Sequence, residues 1–181
     1  LLKKSRKAFP NSIGNVFHKE EGVEILKATS EHAAYLQHRL RPTDMRECMI
    51  AGTSPWAALH RPLTDKDGQT WTILFDDEPA CMYGVSILSP ENEFNMANIW
   101  LLGSNLVEKH SRKFVRTTKQ IVEHLQEQYM FLENVVPIDH DRTIKWLDRL
   151  GFQFAEETTI VNGFACVRFV RCQDFEGVEL K

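Results

Sequence analysis

The chain predicts an α/β (α+β) fold: a central mixed, mostly antiparallel sheet flanked by helices and ending in a β-hairpin. Three observations predict it. Short apolar runs bounded by Gly, Pro, Asn or Asp alternate with stripes of helical period. A long amphipathic stretch separates two nearly continuous apolar runs, as a helix crossing between buried strands requires. Near the end, Asn162-Gly163 divides two β-rich runs, the strongest short hairpin signal a sequence carries.

Taken in order, residues 23–29 read as a short strand. Ser30 is placed to cap a helix over residues 31–40, with Ala33, Leu36 and Leu40 on one face. Pro42 is expected to end it, and Thr43 to cap a second short helix that carries Met45, Cys48 and Met49 and stops at Gly52. Ser54-Pro55 opens another turn with Pro at the first helical position, and Trp56 and Leu59 are expected to pack inward. Residues 70–75 and 80–89 form an antiparallel pair across Asp76-Asp77-Glu78-Pro79. Residues 90–95 are a loop. Residues 97–102 follow as a central strand, apolar through Ile99-Trp100-Leu101-Leu102.

The longest helix spans residues 112–130. Phe114, Thr118, Ile121, Leu125 and Tyr129 recur at steps of three and four along it. Residues 131–136 form a second buried strand. Asp139 or His140 begins a helix whose Ile144, Leu147 and Leu150 face the core, and Gly151 closes it where a left-handed residue is wanted. Residues 153–161 and 164–171 make the final hairpin. Two crossovers in this half put helices against the sheet.

The 181 residues suffice for one domain with a real core, and 43% hydrophobic with 26% charged residues is ordinary globular composition. Residues 1–21, with Pro10, Asn11 and Gly14, read as a basic N-terminal arm or linker, and residues 22–181 as a single domain. No apolar run approaches the roughly 20 residues a membrane span needs, and Leu1-Leu2 is too short an apolar stretch for a secretory signal. Cys48, Cys81, Cys166 and Cys172 form no C-x-x-C pair and have no His at ligand spacing. They read as free thiols in a reducing compartment, with no metal. The net charge of −3 is unevenly spread: Lys3, Lys4, Arg6 and Lys7 form one basic cluster, and Lys109, His110, Arg112, Lys113, Arg116 and Lys119 a second.

The element order, together with Thr143-Ile144-Lys145-Trp146-Leu147-Asp148-Arg149-Leu150-Gly151-Phe152, resembles the GNAT acyltransferase superfamily. There the penultimate helix carries an Asn-x-x-Ala-Ile-x-Phe-Tyr-x-x-x-Gly-Phe pattern before the last hairpin. A narrower resemblance is to GNAT-like proteins of short-tailed bacteriophages, the internal virion or core protein A group. It rests on Ile99-Trp100-Leu101-Leu102, Arg112-Lys113-Phe114, Glu133-Asn134-Val135-Val136, Ile144-Lys145-Trp146-Leu147 and Leu150-Gly151-Phe152. It implies a viral origin, other virion proteins as partners, and a place in the virion or host cytoplasm.

Acetyltransferases of this fold grip a pyrophosphate in an Arg/Gln-x-x-Gly-x-Gly/Ala loop at the start of the long helix, where backbone N–H groups form an anion site. Here no Gly occurs between Gly103 and Gly151, and the loop reads Leu106-Val107-Glu108-Lys109-His110-Ser111-Arg112-Lys113. Lys109, Ser111, Arg112 and Lys113 are the residues left to meet a coenzyme phosphate. Aligning on Gly151-Phe152 puts Leu147, with Trp146 beside it, where many members carry a general-acid Tyr; the Asn that opens the helix pattern falls on His140. Glu93, Glu108, Glu133 and Asp139 are conceivable bases, and none is favoured by sequence.

The cluster at 109–119 has three readings: a solvated helix face, a coenzyme A phosphate contact, or a surface for nucleic acid or an acidic partner. The expected function is a virion structural, assembly or genome-delivery protein with a degenerate acetyl-coenzyme A site, without cofactor and able to form oligomers. The alternative is an active acetyl-coenzyme A-dependent N-acetyltransferase acting on a host or phage amine. Nucleic-acid binding through the basic segments is the third.

Overall fold

A computed structural model describes residues 16–20, 22–88 and 95–173. Eight strands form one sheet in the order β1-β2-β3-β4-β5-β6-β8-β7. They are β1 (Val16–Glu20), β2 (Val23–Lys27), β3 (Gln69–Phe75), β4 (Glu78–Ile87), β5 (Met96–Gly103), β6 (Phe131–Pro137), β7 (Gln153–Val161) and β8 (Phe164–Cys172). Every neighbouring pair is antiparallel except β5–β6. The helices are α1 (Ser30–Leu36), α2 (Pro42–Ile50), α3 (Pro55–His60), α4 (Leu106–Lys109), α5 (Ser111–Gln126) and α6 (Asp141–Arg149). The expected crossovers are β5–α5–β6 and β6–α6–β7, the second with β8 inserted between its strands.

The sheet separates two apolar layers. Ala33, Leu36, Leu40, Cys48 and Leu59 from the α1–α3 side pack on Met82 and Leu102. On the other face Phe114, Ile121, Val122 and Leu125 of α5 and Leu147 of α6 pack against Ile73, Cys81, Tyr83 and Val85. The stripe foreseen in the long helix is therefore the core-facing side of α5, and Tyr129, just beyond its end, is buried too.

Local chemistry sets the boundaries. Thr29, not Ser30, caps α1: its side chain accepts from His32 N–H, and the helix ends at Leu36. Pro42 does not end a helix. It occupies the first turn of α2, where its missing N–H costs nothing, so the Thr43 cap gives way to Arg41. Cys48 of α2 is buried, whereas Met45 and Met49 are exposed. Ser54 caps α3 by accepting from Ala57 N–H, and Leu59 is buried, but Trp56 faces solvent and stacks on His60. α5 stops at Gln126, four residues early, because its Gln126 side chain donates to the Tyr129 and Met130 carbonyls and bends the chain into β6.

Asp76 and Asp77 both take positive φ, making the β3–β4 turn a two-residue one, and Asn162-Gly163 does the same for β7–β8. Gly151 has φ +83°, as its place after α6 requires. Val16–Glu20, read from sequence as part of the arm, forms β1 on the edge of β2. Lys3, Lys4, Arg6 and Lys7, Glu93 and the loop at 90–94 lie outside the described residues. No helix among the described residues is long and apolar enough to cross a membrane.

Candidate functional site

β5 and β6 pair only from Met96↔Phe131 to Asn98↔Glu133. Beyond that β5 follows β4 as far as Gly103, β6 follows β8 as far as Pro137, and the two strands part. Backbone groups on a strand point alternately to its two neighbours. Ser104 N–H bonds Ala80 O at 2.8 Å, so even-numbered residues of this run face β4 and odd-numbered ones face the gap.

Three odd positions are dealt with differently. At Ile99 the carbonyl accepts from Asn134 Nδ2 at 2.8 Å, while Asn134 Oδ1 accepts from Val135 N–H at 2.7 Å. One side chain thus replaces the missing ladder bonds on both strands at the fork. At Gly103 the N–H donates to Asp44 Oδ1 and the carbonyl accepts from Arg41 N–H, both at 2.9 Å. Between them, the N–H and C=O of Leu101 are aimed into the gap. Opposite, Pro137 has no N–H and its carbonyl accepts from His140 N–H at 3.0 Å.

The gap is a cavity of about 370 Å3. Ile99, Trp100, Leu101, Val136, Trp146 and Leu147 give it mostly apolar walls, with Glu47, Tyr83, Asn134 and Thr143 as polar members. Glu47 comes from α2, and its Oε1 lies 2.8 Å from Nδ1 of the buried His140. Burial, then the neighbouring Asp44 carboxylate, pushes the Glu47 carboxyl above its ordinary range, against the pull of His140. Arg41 is matched by Asp44, at 2.6 and 3.0 Å, and Arg46 by Asp139, at 2.9 and 2.8 Å. These pairs hold α2 against the end of β5 and the turn before α6. Tyr83 is 2% exposed, its hydroxyl has no partner among the described residues, and burial raises its pKa well above 10, so it stays protonated.

The sequence-predicted phosphate residues lie at the start of α5. Lys109, Ser111 and Arg112 are exposed, and Lys113 Nζ is held 3.3 Å from Asp76 on the β3–β4 turn. The preceding loop is not an open cradle. Val107, Glu108, Lys109 and His110 spend their N–H groups on the carbonyls of Ser104, Asn105, Asn105 and Leu106, which is the turn of α4. Glu108 faces Arg142 of α6 at 3.6 Å. Deeper between the helices, Trp146 Nε1–H donates to Thr118 Oγ1 at 3.2 Å and its ring lies 5.3 Å from that of Phe114. The N–H groups of Ser111, Arg112 and Lys113 remain at the first turn of α5, with no glycine there to let a phosphate approach the backbone closely. The fit to a coenzyme pyrophosphate is poor at 106–110 and limited to that first turn.

Of the carboxylates singled out by sequence, Glu133 is paired with Arg168, Asp139 with Arg46 and Glu108 with Arg142, and none lines the cavity. His140 caps no helix with its side chain, and its ring serves Glu47 instead. Glu47 and Tyr83 carry no local signature that marks them. Asn134 had one: a side-chain amide inside the apolar run 131–136 needs buried partners. Arg112, Arg116 and Lys119 are exposed along one face of α5, and Lys119 lies 3.9 Å from Glu123. Among the described residues no cluster of His, Cys, Asp and Glu could hold a metal.

Residues 92–159, a stretch that includes β5, α4, α5, β6, α6 and most of β7, match the family model described as Bacteriophage T7, probable scaffold protein Gp13. No curated protein matches the chain. Among solved structures it is similar to RimL, a ribosomal L7/L12 alpha-N-protein acetyltransferase in complex with coenzyme A. That match has 12% identity over 88% of this chain and 99% of the other, with a TM-score of 0.64. It is also similar to AAC(6')-Ib in complex with ribostamycin and coenzyme A, at 14% identity over 84% and 94%, TM-score 0.64. A third is the microcin C7 self-immunity acetyltransferase MccE in complex with acetyl-CoA and AMP, at 12% over 84% and 93%, TM-score 0.60. The chain has the GNAT acetyltransferase fold.

Proposed function

We propose that this chain is a GNAT-fold component of bacteriophage particle assembly or genome delivery whose coenzyme site is not used for acetyl transfer. One coincidence supports it most. The segment matched to a phage scaffold family contains every element that would have to hold a coenzyme, and there the N–H groups of 107–110 are consumed by α4. Leu147 in place of a general acid and the Glu108–Arg142 pair across the phosphate route point the same way. A fold retained as scaffold after its chemistry has lapsed is a familiar outcome. Mixing the purified protein with the internal and tail proteins of the particle tests the reading. Association with at least one is expected; none at low or moderate salt contradicts it.

The cavity itself favours a second reading, an active N-acetyltransferase. Tyr83 is a protonated acid in its wall and Glu47 a carboxylate on the α2 side, so an acid and a base border one space. Acetylation of a polyamine or a lysine peptide, abolished by both Tyr83→Phe and Glu47→Gln, would establish it.

A further inference from the structure

We propose that the β5–β6 cleft receives one extended, basic segment of a partner polypeptide, which pairs its main chain with Leu101. The inference rests on the assembly reading above, since it gives the cleft an occupant other than a coenzyme.

Three features of the cleft choose that chemistry. The first is the backbone. Along the odd-numbered edge of β5, Asn134 covers the Ile99 carbonyl and the start of α2 covers Gly103, and between them the N–H and C=O of Leu101 are directed into a mostly apolar space with no partner among the described residues. A donor and an acceptor of the same residue on one side of a strand match the corresponding pair of another strand. This is the mode by which extended peptides add to a sheet edge, with alternate side chains supplying specificity. The second is size. About 370 Å3 lies within the roughly 300–1,000 Å3 of ordinary ligand pockets. It suits a short stretch of peptide with an apolar side chain against Trp100, on the α1–α3 face of the sheet from which Glu47 also borders the cavity.

The third is charge. α2 and the turn before α6 bring together Arg41, Asp44, Arg46, Glu47 and Asp139. Arg41 is matched by Asp44 and Arg46 by Asp139, which leaves Glu47 with an imidazole as its partner. Apart from that imidazole, the group sets three carboxylates against two guanidinium groups, an excess of acidic groups beside the cavity wall. His140 reaches Glu47 from the α6 side, and Arg41 and Asp44 reach it along α2, so no further cation from these elements balances it. A Lys or Arg of the incoming strand does. Residues two apart on a strand share a face, so the basic residue and the apolar anchor are expected at i and i+2.

The test uses the full chain and an array of overlapping 12-residue peptides covering the particle's internal and tail proteins. Bound peptides are then titrated in solution by fluorescence anisotropy. Glu47→Lys opposes the basic residue, and Leu101→Pro removes the N–H that faces the cleft while sparing the bonds to β4. Glu156→Gln, on the exposed part of β7, is the control, and thermal melts confirm that each variant folds. The expected result is a set of peptides with the basic–x–apolar pattern whose affinity falls at least tenfold in both cleft variants and is unchanged in the control. Affinity within twofold of wild type in both cleft variants overturns the proposal while leaving the assembly reading intact, because the partner then docks elsewhere. Micromolar binding of acetyl-coenzyme A that no array peptide displaces also overturns it. Absence of any association with the intact particle proteins fails the assembly reading instead.

Discussion

Replacing Asn134 by Ala should open the fork of the sheet, because two backbone groups depend on this one amide. Its Nδ2 satisfies Ile99 O at 2.8 Å and its Oδ1 satisfies Val135 N–H at 2.7 Å. Each bond contributes roughly 0.5–1.5 kcal/mol net, and a buried group left unpaired costs about 1–3 kcal/mol. Val135 is 38% exposed, so water can take over its N–H, whereas Ile99 is more enclosed. The sum is about 1–3 kcal/mol. For a chain of this size that is a fall in Tm of roughly 2–12 °C. Urea unfolding measures the free energy, and amide hydrogen exchange locates it. Protection should drop at Val135 and around β5 beyond Asn98, and stay unchanged in β3 and β4. Asn134→Asp should cost more than Asn134→Ala, since it sets a carboxylate against the Ile99 carbonyl. A change under about 0.5 kcal/mol for Ala with unaltered exchange would refute the role assigned to this side chain.

Other consequences can be checked on the same material. Gly84→Ala should destabilise by about 2 kcal/mol or more, because its new Cβ would lie 2.6 Å from Gln69 O and 2.9 Å from the Trp100 ring. Gly163→Ala meets nothing within 4 Å and should cost about 1 kcal/mol, from its φ of +85° alone; equal losses in two urea titrations would contradict the distinction. Native protein should release about one equivalent of chromophore from a disulfide thiol reagent at pH 8, and four after denaturation. Cys48 is buried with its thiol pushed up to about 11, Cys81 and Cys166 are also buried, and Cys172 is half-buried. Burial holds the Glu47 carboxyl above its ordinary value, so the folded state binds this proton more tightly than the unfolded chain does. Its contribution to stability is therefore greatest at low pH and declines as pH rises through the raised value. Glu47→Gln should remove that decline; an unchanged pH profile would contradict it.

What was legible in the sequence is what short-range physics determines. The α5 stripe, the apolar runs of β5 and β6, Gly151 and Asn162-Gly163 each announce themselves within a few residues. Pro42 and Thr29 show the limit of that reading. A Pro can end one helix or begin the next, and only the tertiary placement of α2 against Gly103 decides. The α4 turn was missed because a four-residue helix has no period to detect. The cavity groups were out of reach for another reason. Glu47 meets His140 across 93 positions and Asn134 meets Ile99 across 35, so no window of sequence contains either pair. Apolar character alone puts Trp56 inward, while its place beside Pro55 in an irregular segment also makes it the one tryptophan open to a contact surface; its six-residue helix buries Ala57 and Leu59 and leaves the indole outside.

The most direct test of the central claim is isothermal titration of acetyl-coenzyme A into the purified protein. The spent N–H groups of 107–110, Glu108 and the Trp146–Thr118 contact predict no binding tighter than about 1 mM. A micromolar Kd, abolished by Arg112→Glu, would contradict it and restore the chain to the acetyltransferases.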